Sequence, residues 1–202
     1  MEIYSTEEQQ VEAIKSFWKE YGNSIIGGAV IGLAGLFGWN TYQDYQREQA
    51  EAASVAFEAT IAQAGATEAL TAAVDELTLS HSDSAYADLA NLMLAKAAAD
   101  SGDLTQANQR LTEVLGSIDA DFKPLVQLRL ARVQMAQSDL DGALATLAGI
   151  SNEAFVAQRD ELKGDALKQQ GDLQGAREAY LAAQTAGSSS QELQMKLDDL
   201  AI

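Results

Sequence analysis

The chain has 202 residues, 30 acidic side chains against 13 Lys and Arg, a formal charge of −17 and no cysteine. Such a charge repels phosphate backbones, and the cations are too scattered to build a patch, so nucleic-acid binding is excluded; the missing thiols exclude disulfides, thiolate metal sites and thiol nucleophiles. With 47% hydrophobic residues, a single proline and few β-branched residues, the chain reads as all-α, with room for one domain and an appendage.

Residues 1–20 form a short segment in which Val11, Ile14, Phe17 and Trp18 share one side of an amphipathic helix, suited to rest on a membrane surface. Residues 21–43 follow as 23 uncharged positions, including NSIIGGAVIGLAGLFGW. As a helix they reach about 34 Å, against a hydrocarbon core of about 30 Å. The strictly apolar part, residues 25–39, is short enough for a buried soluble helix, but the flanks argue for a membrane. Trp18, Tyr21, Trp39, Tyr42 and Tyr45 bracket the run as aromatic rings do at a headgroup layer. Five glycines weaken a helix in water far more than in lipid, where a helix is the way its backbone groups are satisfied. A cleaved export signal needs a basic start and a nearby small-residue cleavage site. The first 20 residues instead carry five Glu against two Lys, and Ala50-Glu51-Ala52 lies well beyond Trp39.

A retained single-pass anchor in a lipid bilayer is therefore expected. Lys15 and Lys19 precede the run and only Arg47 follows closely, which favours a cytoplasmic N-terminus and a C-terminal domain on the outer side, periplasmic if the source is bacterial. Ser24, Gly28, Gly32 and Gly35 fall on one face in the small-xxx-small pattern of close-packing membrane helices, a pattern that the general glycine content of membrane helices also produces.

Residues 44–64 carry no helix breaker and extend the helix as a juxtamembrane segment; residues 65–202 form a repeat domain. A phrase recurs there at Gly102-Asp103-Leu104-x-x-Ala107, Ser138-Asp139-Leu140-x-x-Ala143 and Gly171-Asp172-Leu173-x-x-Ala176, spaced by 36 and then 33 residues. Eight positions before each Asp stands a small residue (Ala95, Ala131, Gly164), and eight after it a bulky one (Leu111, Leu147, Tyr180). The pattern predicts three helix-turn-helix units, about 88–121, 124–156 and 157–187. In each, Gly or Ser ends one helix, Asp caps the next, and the small residue admits close packing. Ser82 or Asp83 is expected to cap the first of these helices, residues 66–79 to form a leading helix, and residues 188–200 a closing one. The units resemble the tetratricopeptide repeat and predict a helical solenoid, although the usual tryptophan and closing proline of that repeat are missing.

Nothing here points to catalysis, a cofactor or a metal site. His81 is the sole histidine and reads as a loop residue; Asp160 with Glu161, and Asp198 with Asp199, read as solvated faces. Stacked repeats instead offer a protein-binding groove lined by the first helix of each unit. It would comprise Leu89, Leu92 and Lys96, then Leu125, Leu128, Arg132 and Met135, then Glu161, Asp165 and Lys168, with each leucine open to a core role instead. Arg129 and Arg132 stand out in an acidic chain; structural carboxylate partners are expected for them ahead of an acidic ligand.

MEIYSTEEQQVEAIKSFWKEYG, the glycine-rich run ending in GW, LRLARVQ, DELKGDALKQQGD-x-x-GAR and MKLDDLAI together resemble the YfgM-type family of ancillary subunits of the bacterial SecYEG translocon. The resemblance covers nearly the whole chain. It implies a single-pass inner-membrane protein without enzymatic activity that associates with SecYEG and with the periplasmic chaperone PpiD. Its work would be to pass nascent exported proteins to the chaperone network. Alternatives are a periplasmic holdase acting on clients directly, or a membrane-tethered regulator restraining RcsB.

Overall fold

The computed structural model describes residues 7–65 and 67–200, and among them it is helical throughout. The start of the N-terminal segment, Ala66 at the head of the leading helix and the last two residues of the closing phrase lie outside the described residues. The helices are α1 (Glu7–Ile61), α2 (Thr67–Ser80), α3 (Ala85–Ser101), α4 (Leu104–Ser117), α5 (Lys123–Ala136), α6 (Leu140–Ala148), α7 (Val156–Gln170), α8 (Leu173–Thr185) and α9 (Gln191–Asp198), with a 3-10 turn at Glu153–Phe155 before α7. The chain divides into two compact units, Met1–Glu51 and Ala52–Ile202, the division falling inside the juxtamembrane segment.

In the first unit, α1 supplies a helix long and apolar enough to cross a membrane, and only 6% of its most apolar window is buried. Ile31 and Phe37 are 75% and 71% exposed, which a soluble core helix would not tolerate. Aromatic pairs stand at both ends of the run, Phe17 with Tyr21 (ring centroids 5.1 Å apart) and Trp39 with Tyr42 (6.3 Å).

In the second unit the helices follow one another as packed antiparallel pairs. The end of α1 belongs to this stack. Ala56 and Phe57 pack against Leu70, Val74 and Leu77 of α2 and Leu94 of α3, and the Phe57 and Tyr86 rings lie 5.5 Å apart. Residues 52–61 and α2 thus make a leading hairpin ahead of the three repeats.

The recurring phrase works at atomic level as the sequence requires. Gly102 and Gly171 take left-handed φ of 87° and 88°, and Ser138 does the same at 63°. Each following Asp serves both sides of the turn. Its backbone N–H closes the previous helix, on the carbonyls of Ala98, Gln134 and Leu167 at 2.8–3.0 Å. Its carboxylate accepts the N–H three residues on, from Gln106, Gly142 and Gly175 at 2.9–3.0 Å, and starts the next helix. At α3 the cap is Ser84 rather than Ser82 or Asp83. Its backbone is extended (φ −92°, ψ 136°), which lets its hydroxyl accept from Tyr86 N–H.

Three cores join the repeats. Ala95, Ala98, Ala107, Leu111, Val126 and Leu130 join α3, α4 and α5. Leu128, Ala131, Ala143, Leu147 and Leu162 join α5, α6 and α7, while Ala176, Tyr180, Leu193 and Leu197 bind α9 to α8. Burial at about 25 cal/mol per Å² of apolar surface makes these contacts the main force holding the stack. Arg110 adds a polar bracket across three helices: its guanidinium meets Asp75 of α2 at 2.6 Å and donates to Asn91 Oδ1 of α3 at 3.3 Å. That bond helps satisfy the buried Asn91, whose amide also donates to Thr78 and to the Ala87 carbonyl.

Candidate functional site

The open groove lies between α3 and α5. Leu89, Leu92, Met93 and Lys96 come from α3, one helical turn apart, Arg129 and Arg132 from α5, and Ala95, Ala99, Leu111 and Val133 complete the floor. They enclose a cavity of about 560 Å³. Leu89 is 48% exposed, and both arginines are exposed.

Not every residue expected in the groove is there. Leu89, Leu92, Lys96 and Arg132 converge on it. Leu128, one repeat on from Leu92, is 1% exposed and sits in the core beneath α7; it is a packing residue. Met135 packs on that same core, and Leu125 is half-buried and lies outside the groove. The reason is geometric. α6 has nine residues against fourteen in α4, and α7 packs directly on α5, whereas α3 and α5 make no comparable contact. The groove is open between the first pair of repeats and closed between the next.

Glu161 and Asp165 are committed elsewhere. Lys196 of α9 lies 3.0 Å from each carboxylate and 3.1 Å from Glu192, and the Tyr180 hydroxyl donates to Asp165 at 2.8 Å. Burial lowers the Lys196 pKa, but hydrogen bonds to Asp165, Glu161 and Glu192 outweigh it and hold the ammonium well above the usual lysine range. Burial, then the bond to Asp165, raises the Tyr180 phenol as well. Lys168 reaches Asp199 at 3.5 Å. These three groove candidates therefore fasten the closing helix. Asp160 is likewise no solvated acid: it is 8% exposed and accepts from Arg159 Nε at 2.7 Å, which raises the arginine pKa, while Arg159 also donates to the Ile150 carbonyl at 2.9 Å.

Arg129 and Arg132 reverse the expectation of structural pairing. Among the described residues neither has a carboxylate partner or hydrogen bond. Lys96 beside them is engaged by Asp100. Sequence reasoning left Met93, Arg129 and Val133 out of the lining; Met93 stands one turn from Leu89 and Lys96, which the helical period could have supplied.

In the first unit, Gly28, Gly32 and Gly35 have open space where a Cβ would stand. Among the described residues no group of three or more potential metal-ligating His, Asp or Glu occurs.

Comparison with known proteins places this architecture. A family model described as a tetratricopeptide repeat-like domain matches residues 15–202. The chain is 36% identical over 208 residues to the protein named ancillary SecYEG translocon subunit of Escherichia coli strain K12, with 100% of both chains covered. The chain belongs to that family. Ancillary SecYEG translocon subunits of Haemophilus influenzae (35% identical, 96% of this chain and 97% of the relative) and Neisseria gonorrhoeae (29%, 99% and 100%) are similar along the same length. The ancillary translocon subunits are a non-enzymatic family with a tetratricopeptide-like domain.

Proposed function

We propose that this ancillary subunit is a single-pass scaffold at the SecYEG translocon, with its N-terminus in the cytoplasm and its repeat domain in the periplasm, linking exported proteins to the chaperone PpiD. The conjunction that carries this reading is an unburied apolar span joined in one chain to helix pairs that hold an open, partly apolar groove. In this reading α1 meets the membrane partner along Ser24, Gly28, Gly32 and Gly35, where backbones can approach closely. The groove at Leu89, Leu92, Lys96 and Arg132 holds the protein partner.

The membrane half is tested by isolating tagged full-length protein from membranes. Gly28→Leu with Gly32→Leu should reduce the SecYEG recovered with it, and unchanged recovery would sink that half. A second reading, a holdase acting on clients directly, is favoured by the exposure of Leu89 beside Leu92 and Met93. The full-length protein in nanodiscs should then suppress aggregation of a denatured client without PpiD, and failure to do so leaves the scaffold.

A further inference from the structure

We infer that the groove between α3 and α5 selects an acidic, amphipathic peptide segment, whose apolar side chains seat on Leu89, Leu92 and Met93 while its carboxylates take Arg129 and Arg132. This rests on reading the groove as the docking surface and adds the chemistry of what docks there.

The argument starts from charge. Acidic side chains outnumber Lys and Arg by 30 to 13, so a cation in this chain has carboxylates within easy reach of selection. In the repeat domain many cations use them: Arg110 with Asp75, Arg159 with Asp160, Lys168 with Asp199, and Lys196 with three acids. Arg129 and Arg132 do not, although they stand three residues apart on one helix, where like charges repel. Among the described residues Lys123, Lys163 and Arg177 also lack a carboxylate partner, but none of the three borders this groove.

Position gives the two arginines their meaning. They rim an apolar cavity of about 560 Å³, so a segment entering it removes water from their guanidinium groups. A neutral segment would fill the floor and leave two charges desolvated without a counter-charge; a basic one would be repelled. Carboxylates at the flank of an apolar segment answer both needs, and arginine engages them bidentately, which fixes orientation as well as charge. Lys96 has Asp100 beside it in an exposed pair that adds no net charge at the rim, so the uncompensated charge there comes from the two arginines of α5.

The test uses the full-length protein in nanodiscs and a labelled twelve-residue peptide with leucines on one helical face and glutamates flanking them, beside the same peptide with every Glu replaced by Gln. Binding is read by fluorescence anisotropy. The acidic peptide should bind at least tenfold more tightly than its Gln counterpart, and added salt should narrow the gap. Arg129→Gln with Arg132→Gln should abolish the preference with an unchanged melting profile, since both side chains are exposed. Lys123→Gln with Arg177→Gln removes the same charge elsewhere and should preserve it. Equal binding of the two peptides, a preference that survives the double arginine change, or no binding of either would overturn the inference. Photocrosslinks from Leu89 to a partner in cells, persisting in the double arginine variant, would leave the scaffold standing while this inference falls. A charge preference in vitro without any such crosslink would do the reverse.

Discussion

Gly164 of α7 faces the ring of Tyr180 of α8 so closely that a Cβ on the glycine would stand 2.3 Å from the tyrosine Cε1. The two preceding repeats place Ala95 with Leu111 and Ala131 with Leu147 at the same positions, eight residues either side of the capping Asp. The third repeat trades one methyl on the first helix for a ring on the second. That ring carries the hydroxyl that binds Asp165, and Lys196 lies over its face, 5.9 Å from the centroid. The exchange thus supplies a polar handle for the closing helix that leucine could not.

Gly164→Ala should therefore destabilise the protein by about 1–3 kcal/mol through overpacking. Combined with Tyr180→Leu, the pair takes the form of the earlier repeats, and the alanine should cost clearly less in that background. Urea unfolding of the four proteins of this cycle measures the coupling; simple additivity would mean the two residues do not share one space.

Ser138 holds a left-handed backbone at the turn where the other two repeats have glycine. Ser138→Gly should stabilise by about 0.5–1 kcal/mol by removing that strain. Gly171→Ala, at φ 88°, should cost about 1 kcal/mol. Opposite shifts in the urea midpoint check the pair, and equal shifts would show that the turns are not equivalent.

The cluster at α9 makes an alkaline prediction. Lys196 and Tyr180 both hold their protons more tightly folded than unfolded. The stability they contribute is fully present below their unfolded pKa values of about 10 and is lost as pH rises through the higher folded values. Melting temperature should hold between pH 7 and 9 and fall above about pH 10. Lys196→Met, which leaves Glu161 and Asp165 without their cation, should cost about 1–3 kcal/mol at pH 8, discounted for partial exposure, and flatten the alkaline fall. An equally steep fall in that variant would locate the titration elsewhere.

The repeat turns were legible because their chemistry is local. A Gly-Asp or Ser-Asp step specifies the end of one helix and the cap of the next without reference to the rest of the fold. The groove was legible only in part, since Leu92 and Leu128 occupy equivalent positions and differ in what packs over them. Whether α7 leans on α5 depends on the short α6 and the turn at Glu153–Phe155, a tertiary outcome with no signature in either leucine. The fate of Glu161 and Asp165 depended on Lys196, 35 and 31 residues away, which spacing within a repeat does not reveal. Arg129 and Arg132 stand out in the sequence by their charge, and among the described residues no carboxylate answers them.

The most direct measurement is photocrosslinking in cells with a native translocon, from probes placed singly at Gly32 in the membrane helix and at Leu89 in the groove. Leu89 is the suitable groove position because Leu128 is buried. Crosslinks from Gly32 to SecYEG, together with crosslinks from Leu89 to PpiD or to exported chains, are the expected result and would fix the orientation at the same time. Crosslinks from Leu89 to cytoplasmic proteins would contradict both the topology and the scaffold.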